Sequence, residues 1–164
     1  MYQLGVGVLQ ELGEPFWLDF GTLLGYYRGG DIIPHDIDID VGMMESSYEK
    51  ICEMRDRMPA GLSLHDSSAN HNGPKVYFSY KGFDFDVFFY KQHGDHLKCY
   101  LEGAPFNETQ LIHEKLIFPL KEATFKGKTV QVPKDTEGYL QQMYGYLGMG
   151  GTRNKKTGLW EPPA

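Results

Sequence analysis

"WLDFGTLLGYYRGGDIIPHDIDIDVGM", Trp17 to Met43, decides how this chain is read. From Asp36 onward polar and apolar residues alternate: Ile37, Ile39 and Val41 fall on one face, Asp36, Asp38 and Asp40 on the other. That period of two predicts a strand over 37–43 with one buried face. Carboxylates at i and i+2 bring their oxygens together, and like charges so close resist ionising unless something compensates them. A divalent cation is the usual compensation: Mg²⁺ takes one or two carboxylates, keeps waters and completes its octahedron with substrate phosphates. Asp38 and Asp40 therefore suggest a metal site with open positions, the catalytic kind. The competing reading is a solvent-facing edge strand whose charges guard against aggregation.

The neighbouring residues oppose the edge reading. Residues 16–19 predict a short buried strand, and Gly21-Thr22 then opens a helix over Leu23 to Arg28 with Thr22 as its N-cap. Gly29-Gly30-Asp31 ends that helix. Backbone N–H groups at a helix start bind anions, Gly21 lets a phosphate approach the backbone, and Thr22 adds a hydroxyl. Arg28 stands between this turn and the aspartates. It can grip a phosphate with paired N–H donors, or equally pair with the aspartate strand and hold it. Further on, "FDFDVFFY", Phe83 to Tyr90, alternates Asp84 and Asp86 with bulky apolar residues, which argues for a central strand. An ionised Asp in such a strand needs a partner. Asp86 would find one by completing the metal site, and it could also take a proton from an attacking hydroxyl.

The rest of the chain fits a mixture of helices and strands. An amphipathic helix is expected over 2–13, weakened by Gly5 and Gly7, and a second over 47–58, capped by Ser46 or Ser47 and stopped at Pro59. Strands are expected over 62–66 and 97–101, with a hairpin over 75–90 turning at Lys81-Gly82. "LIFPL" (116–120) suggests a last strand, followed by a hairpin turning at Lys126-Gly127 and a helix over 135–146. The tail 148–164 reads as irregular and solvated; its Arg153, Lys155, Lys156 and Trp160 also offer a way to stack on and neutralise a nucleotide.

Other metal and phosphate motifs fail on spacing. Read as an EF-hand, Asp36-x-Asp38-x-Asp40 has Val41 where glycine belongs and Ser47 where glutamate belongs. Gly127-Lys128-Thr129 lacks the earlier Walker glycine, since Glu122 stands there. Gly5-Val6-Gly7 has Gln10 in place of a third glycine, and His93 with His96 has no nearby cysteine to make a zinc site. A GT-A-type glycosyltransferase would need a nucleotide-binding sheet before the aspartates, and too little chain precedes them. The 164 residues suggest one domain, and the net charge of −6 is unsuited to blanketing a nucleic-acid backbone. Cys52 and Cys99 are too few for a disulfide scaffold. No apolar run reaches membrane length and no signal peptide is evident, so a cytoplasmic protein is expected, or a lumenal domain of a longer Golgi protein. Asn107-Glu108-Thr109 is a glycosylation sequon of little weight.

The order of strand, Gly-Thr, short helix, Asp-x-Asp strand and later Asp strand resembles the nucleotidyltransferase superfamily, the fold of DNA polymerase beta's catalytic core. The longer string resembles the LicD family, which includes the bacterial phosphorylcholine transferases, fukutin and fukutin-related protein. The residues that carry the likeness are Trp17 to Asp19, Gly21 to Gly25, Arg28, Ile33-Pro34 and Asp38 to Met43. "FDFDVFFY" and "FPLKEATFKGKTVQVPKDTEGYLQQMYG" are similar to later stretches of the family. His35 and Ile37 depart from it, standing where many members have Trp and Asp.

The resemblance implies an α+β fold, a mixed sheet with flanking helices, over 1–147. It implies Asp38, Asp40 and Asp86 as catalytic ligands of Mg²⁺ or Mn²⁺, with Gly21, Thr22 and Arg28 binding substrate. The expected reaction passes an alcohol phosphate, of the choline phosphate or polyol phosphate type, from a CDP-linked donor to a sugar hydroxyl of a glycan. Two alternatives stand beside it: transfer of a nucleoside monophosphate with release of pyrophosphate, and a nucleotide-binding module that has lost catalysis.

Overall fold

The computed structural model describes residues 1–34, 36–71, 73–100 and 111–163. His35, Leu101 and the sequon at 107–109 lie outside the described residues. The chain begins with helix α1 (Tyr2–Leu12), strand β1 (Phe16–Leu18), helix α2 (Phe20–Gly29), strand β2 (Asp38–Met44) and the short helix α3 (Tyr48–Cys52). Strands β3 (Ser63–Asp66), β4 (Lys75–Tyr80), β5 (Phe83–His93), β6 (His96–Cys99) and β7 (Ile112–His113) follow. One helical turn, α4 (Glu114–Ile117), leads to the hairpin β8 (Lys121–Phe125) and β9 (Lys128–Val132), then helix α5 (Thr136–Tyr144). Two short strands close the chain, β10 (Thr152–Arg153) and β11 (Trp160–Glu161).

β5 is the centre of the main sheet, as its apolar neighbours predict. It pairs in parallel with β2 and antiparallel with β4, in the order β1-β2-β5-β4-β3, and its later residues pair with β6, which carries β7. Its alternation divides two faces. Phe85, Val87 and Phe89 point away from the aspartates and are wholly buried. α1 lies against this face: a Cβ at Gly5 would sit 2.3 Å from the Phe85 ring, so the glycine that weakens the helix is what lets it pack. Asp84, Asp86, Phe88 and Tyr90 lie on the other face, which α2 crosses.

Both hairpins turn where expected. Lys81 and Gly82 have φ of 50° and 82°, and Lys126 and Gly127 have 47° and 77°, the paired positive values of a two-residue turn. The helix over 47–58 is the first correction. Only Tyr48–Cys52 is α-helical, flanked by 3₁₀ turns at Glu45–Ser47 and Arg55–Arg57. Ile51 and Met54, three apart, are both buried there, and the i+3 bond from Met54 N–H to the Ile51 carbonyl tightens the chain to suit them. "LIFPL" is not a strand either. The His113 side chain caps a single helical turn by accepting from the Lys115 N–H, and Pro119 has no N–H for a ladder. The tail is not wholly irregular: β10 and β11 pair, and the Tyr146 N–H donates to the Trp160 carbonyl. Among the described residues no helix is long and apolar enough to cross a membrane.

Gly42 shows how tightly the aspartate face is closed beyond the carboxylates. A Cβ there would fall 2.4 Å from the Trp17 indole, which also meets the rings of Tyr90 and Phe118. Gly42→Ala is therefore expected to destabilise the fold by about 1–3 kcal/mol through overpacking, read as a lower midpoint in urea with an unchanged slope.

Candidate active site

Three carboxylates converge because β2 and β5 run in parallel. The register sets Asp38 beside Asp84 and Asp40 beside Asp86. Asp38, Asp40 and Asp86 each offer an oxygen within 4.8 Å of the others, and each side chain is part-exposed. Burial, helped by the charges of Asp38, Asp86 and Asp19, pushes the Asp40 carboxyl up to about 8. Asp36 is also raised, by burial and by Asp38. Hard oxygen donors crowded against their own repulsion suit a cation such as Mg²⁺ or Mn²⁺. The space beside them is kept open by Gly21, whose Cβ would lie 3.0 Å from Asp36 Oδ2 and 3.5 Å from Asp40 Oδ2.

α2 begins at Phe20, not after Thr22, and Asp19 is its N-cap. Asp19 can cap because its backbone is extended while Phe20 turns sharply with φ of 41°, a conformation that strains a bulky residue. The Phe20 ring is held against Phe88 with centroids 4.6 Å apart. The sharp turn directs the Gly21 N–H at Asp40 Oδ2, 3.2 Å away. Thr22 is buried, and its hydroxyl oxygen accepts the Asp40 backbone N–H at 2.9 Å. It thus ties α2 to β2. Gly25 completes the return: a Cβ there would strike the Asp31 carbonyl at 2.4 Å, so only glycine lets the loop before Asp36 pass this close.

Arg28 sits in the last turn of α2 and is exposed. Its Nε donates to the Leu147 carbonyl at 2.7 Å and Nη2 to the Gly148 carbonyl at 3.2 Å. It is therefore fixed by the segment after α5. No ion pair with the aspartate strand is formed among the described residues.

Two participants escape the motif reading. Lys75 at the start of β4 is buried, pairs through Nζ with Asp86 Oδ1, and stands 3.5 Å above the Phe88 ring centroid. Asp19 is wholly buried. Its Oδ1 accepts from the Phe20 N–H at 2.8 Å and the Tyr139 hydroxyl at 2.7 Å, and its Oδ2 from the Tyr90 hydroxyl at 2.7 Å. Burial raises Asp19 to about 6, and these donors hold it from rising further. Its backbone N–H donates to the Asp40 carbonyl, so one residue joins β1, α2, β2, β5 and α5. The signal for both was a lone charge at a strand end: Asp19 in "FWLDF" and Lys75 before "VYFSY".

The raised Asp40 has a consequence for stability. In the unfolded chain an Asp titrates near 4, so the folded state holds its proton up to about pH 8 and loses stability as pH rises between the two. In metal-free protein at pH 8.5, Asp40→Asn should raise Tm by roughly 3–8 °C, and by little at pH 5, where Asp40 is already neutral. Added Mg²⁺ should raise Tm of the wild type at pH 8.5 and not that of the variant. Differential scanning fluorimetry at the two pH values reads all of these outcomes.

The family model described as LicD/FKTN/FKRP, nucleotidyltransferase domain, matches residues 13–135. The chain is 34% identical over 156 residues to human ribitol-5-phosphate transferase FKTN, covering 88% of this chain and 32% of that protein. It is 30% identical over 155 residues to mouse ribitol 5-phosphate transferase FKRP, covering 85% and 29%. It thus spans about a third of the length of these relatives. The crystal structure of the lincosamide antibiotic adenylyltransferase LnuA, lincomycin-bound, superposes with a TM-score of 0.54 at 12% identity, over 93% of this chain and 86% of that one. That likeness places the mixed α+β architecture in the nucleotidyltransferase fold. The chain belongs to the LicD/FKTN/FKRP family of nucleotidyltransferase domains.

Proposed function

We propose that this chain is a metal-dependent phosphotransferase that passes a polyol phosphate from a CDP-linked donor to a sugar hydroxyl of a glycan. The observation that carries the reading is the cluster of Asp38, Asp40 and Asp86 beside Gly21 at the start of α2. The two relatives named ribitol-5-phosphate transferases favour a polyol phosphate over choline phosphate as the group moved.

In this reading Asp38, Asp40 and Asp86 hold Mg²⁺ or Mn²⁺. Bound there, the cation neutralises charge on the donor phosphates. The chain's own residues do the positioning. The positive end of the α2 dipole, with Gly21 leaving room, favours a phosphate beside the cluster. Thr22 fixes that helix turn against Asp40. Arg28, braced by the Leu147 and Gly148 carbonyls, adds fixed positive charge at the far end of α2. Asp86 takes the proton of the attacking sugar hydroxyl, and Lys75 on one of its oxygens sets its orientation. The hydroxyl oxygen bonds to the phosphorus of the polyol phosphate as the bond from that phosphorus to the bridging oxygen breaks. CMP leaves with the electron pair. Such a transfer rests on alignment and charge neutralisation more than on covalent help.

Incubation with CDP-ribitol, Mg²⁺ and a glycan acceptor should release one CMP for each polyol phosphate transferred. Pyrophosphate release from a nucleoside triphosphate, with no CMP formed, would instead assign the transfer of a nucleotide. Asp86→Asn should lower kcat/KM by about 10³-fold, roughly 4 kcal/mol of transition-state stabilisation, with the fold intact by circular dichroism. A wild-type rate in that variant would remove Asp86 from the chemistry.

A further inference from the structure

A second feature lies along α2 from the carboxylates. The end of α2, the end of α5 and the tail enclose a cleft of about 200 Å³. Leu24, Tyr144, Met149 and Trp160 line it with Arg28, and its remaining lining is Gly148, Gly150 and Gly151. Trp160 is 43% exposed and Met149 78%, although both are large and apolar. Trp160 does not dangle. Its carbonyl accepts from the Tyr146 N–H at 2.8 Å, it bridges to Gly145, and it pairs with Arg153 across the β10–β11 ladder. A large apolar side chain on a fixed backbone, left half open in a cleft it shares with an arginine, serves no core.

The cleft shares α2 with the carboxylate cluster. Leu24 is half a turn beyond Gly21-Thr22 on α2. Tyr144, in the last turn of α5, lines the cleft, and burial, with the charges of Asp40, Asp19 and Asp36, pushes its hydroxyl far above the ordinary range. Leu24 and Arg28, which line the cleft, thus follow Gly21 along the helix whose start lies against Asp40.

We propose that this cleft receives the aromatic base of the donor nucleotide, stacked on the Trp160 indole, with Arg28 and Tyr144 at the passage from base to phosphates. The proposal rests on the phosphotransferase reading of the carboxylate site. The shape suits the ligand: a flat base needs a π-face, apolar edges and walls without side chains, and Trp160, Leu24 and the glycines supply them. Arg28 supplies the charge complement to a nucleotide, in contrast with a neutral apolar peptide. It also explains why Arg28 grips the Leu147 and Gly148 carbonyls: those bonds hold the glycine segment that forms the cleft floor.

The chain has two tryptophans, Trp17 wholly buried and Trp160 part-exposed, so a quench that Trp160→Phe abolishes reports Trp160. The full chain with Mg²⁺ is titrated with CDP and, separately, with inorganic pyrophosphate, which has no base. CDP should quench the emission saturably and pyrophosphate should not. By calorimetry, Trp160→Ala should weaken CDP about tenfold or more and leave pyrophosphate unchanged, since stacking on one base is worth about 1–3 kcal/mol. Trp160→Phe, which keeps a π-face and the tail's packing, should hold CDP within about threefold of wild type. Equal CDP affinity in Trp160→Ala and wild type, with pyrophosphate still bound, would overturn the base cleft while sparing the metal site, and the cleft would then belong to another occupant. No metal-dependent binding of pyrophosphate or CDP to the wild type would overturn the carboxylate reading, and the cleft assignment with it.

Discussion

Parallel pairing of β2 with β5 places Asp40 next to Asp86 and brings Asp38 within reach of both, so the fold holds three carboxylates against their mutual repulsion. Most of what surrounds the cluster answers that constraint. Lys75, buried and paired with Asp86, offsets one charge. Asp40 meets its share by holding a proton to unusually high pH. The Gly21 N–H and the positive end of α2 lie against the same oxygens. A cluster tuned for stability alone would have replaced one aspartate with a neutral residue. Keeping all three is the pattern of a site whose charge is completed by something bound.

The cluster is aimed by a buried residue outside it. Asp19 caps α2, accepts two tyrosine hydroxyls from β5 and α5, and bonds through its backbone to Asp40. A wholly buried carboxylate is costly unless its oxygens are satisfied, and here three donors satisfy them. The same bonds accompany the sharp turn at Phe20 that points the Gly21 N–H at Asp40. Positioning of this kind suits phosphoryl transfer, where alignment and electrostatics dominate.

The alternation in Asp36 to Met43 and in Phe83 to Tyr90 made the two central strands and the meeting of the carboxylates legible from the sequence, and their buried faces too except at the ends: Ile37, expected inside, precedes β2 and is 68% exposed, and Phe83 is also exposed. The Lys-Gly turns were legible too, because few residues tolerate two successive positive φ values. Long-range pairing hid the rest. Asp19 looked like one more residue of a buried strand, and Thr22, a good N-cap type, drew the helix start three residues too late. Its hydroxyl was already committed to the backbone of a strand 18 residues away. Lys75 was within reach: the two-residue turn sets Lys75 opposite Phe88, one diagonal from Asp86. The tail misled because its glycines and lysines suggest solvent, whereas Trp160 is held back against the end of α5 by backbone bonds that composition does not reveal.

The central claim is that Asp38, Asp40 and Asp86 form one cation site that completes itself with nucleotide phosphate. The most direct measurement is a calorimetric titration of metal-free protein with Mn²⁺ in the presence of saturating CDP, beside Asp38→Asn. A single saturable site in the wild type, weakened at least about tenfold in the variant, is the predicted result. Superimposable curves for the two proteins, or no saturable heat in either, would contradict it.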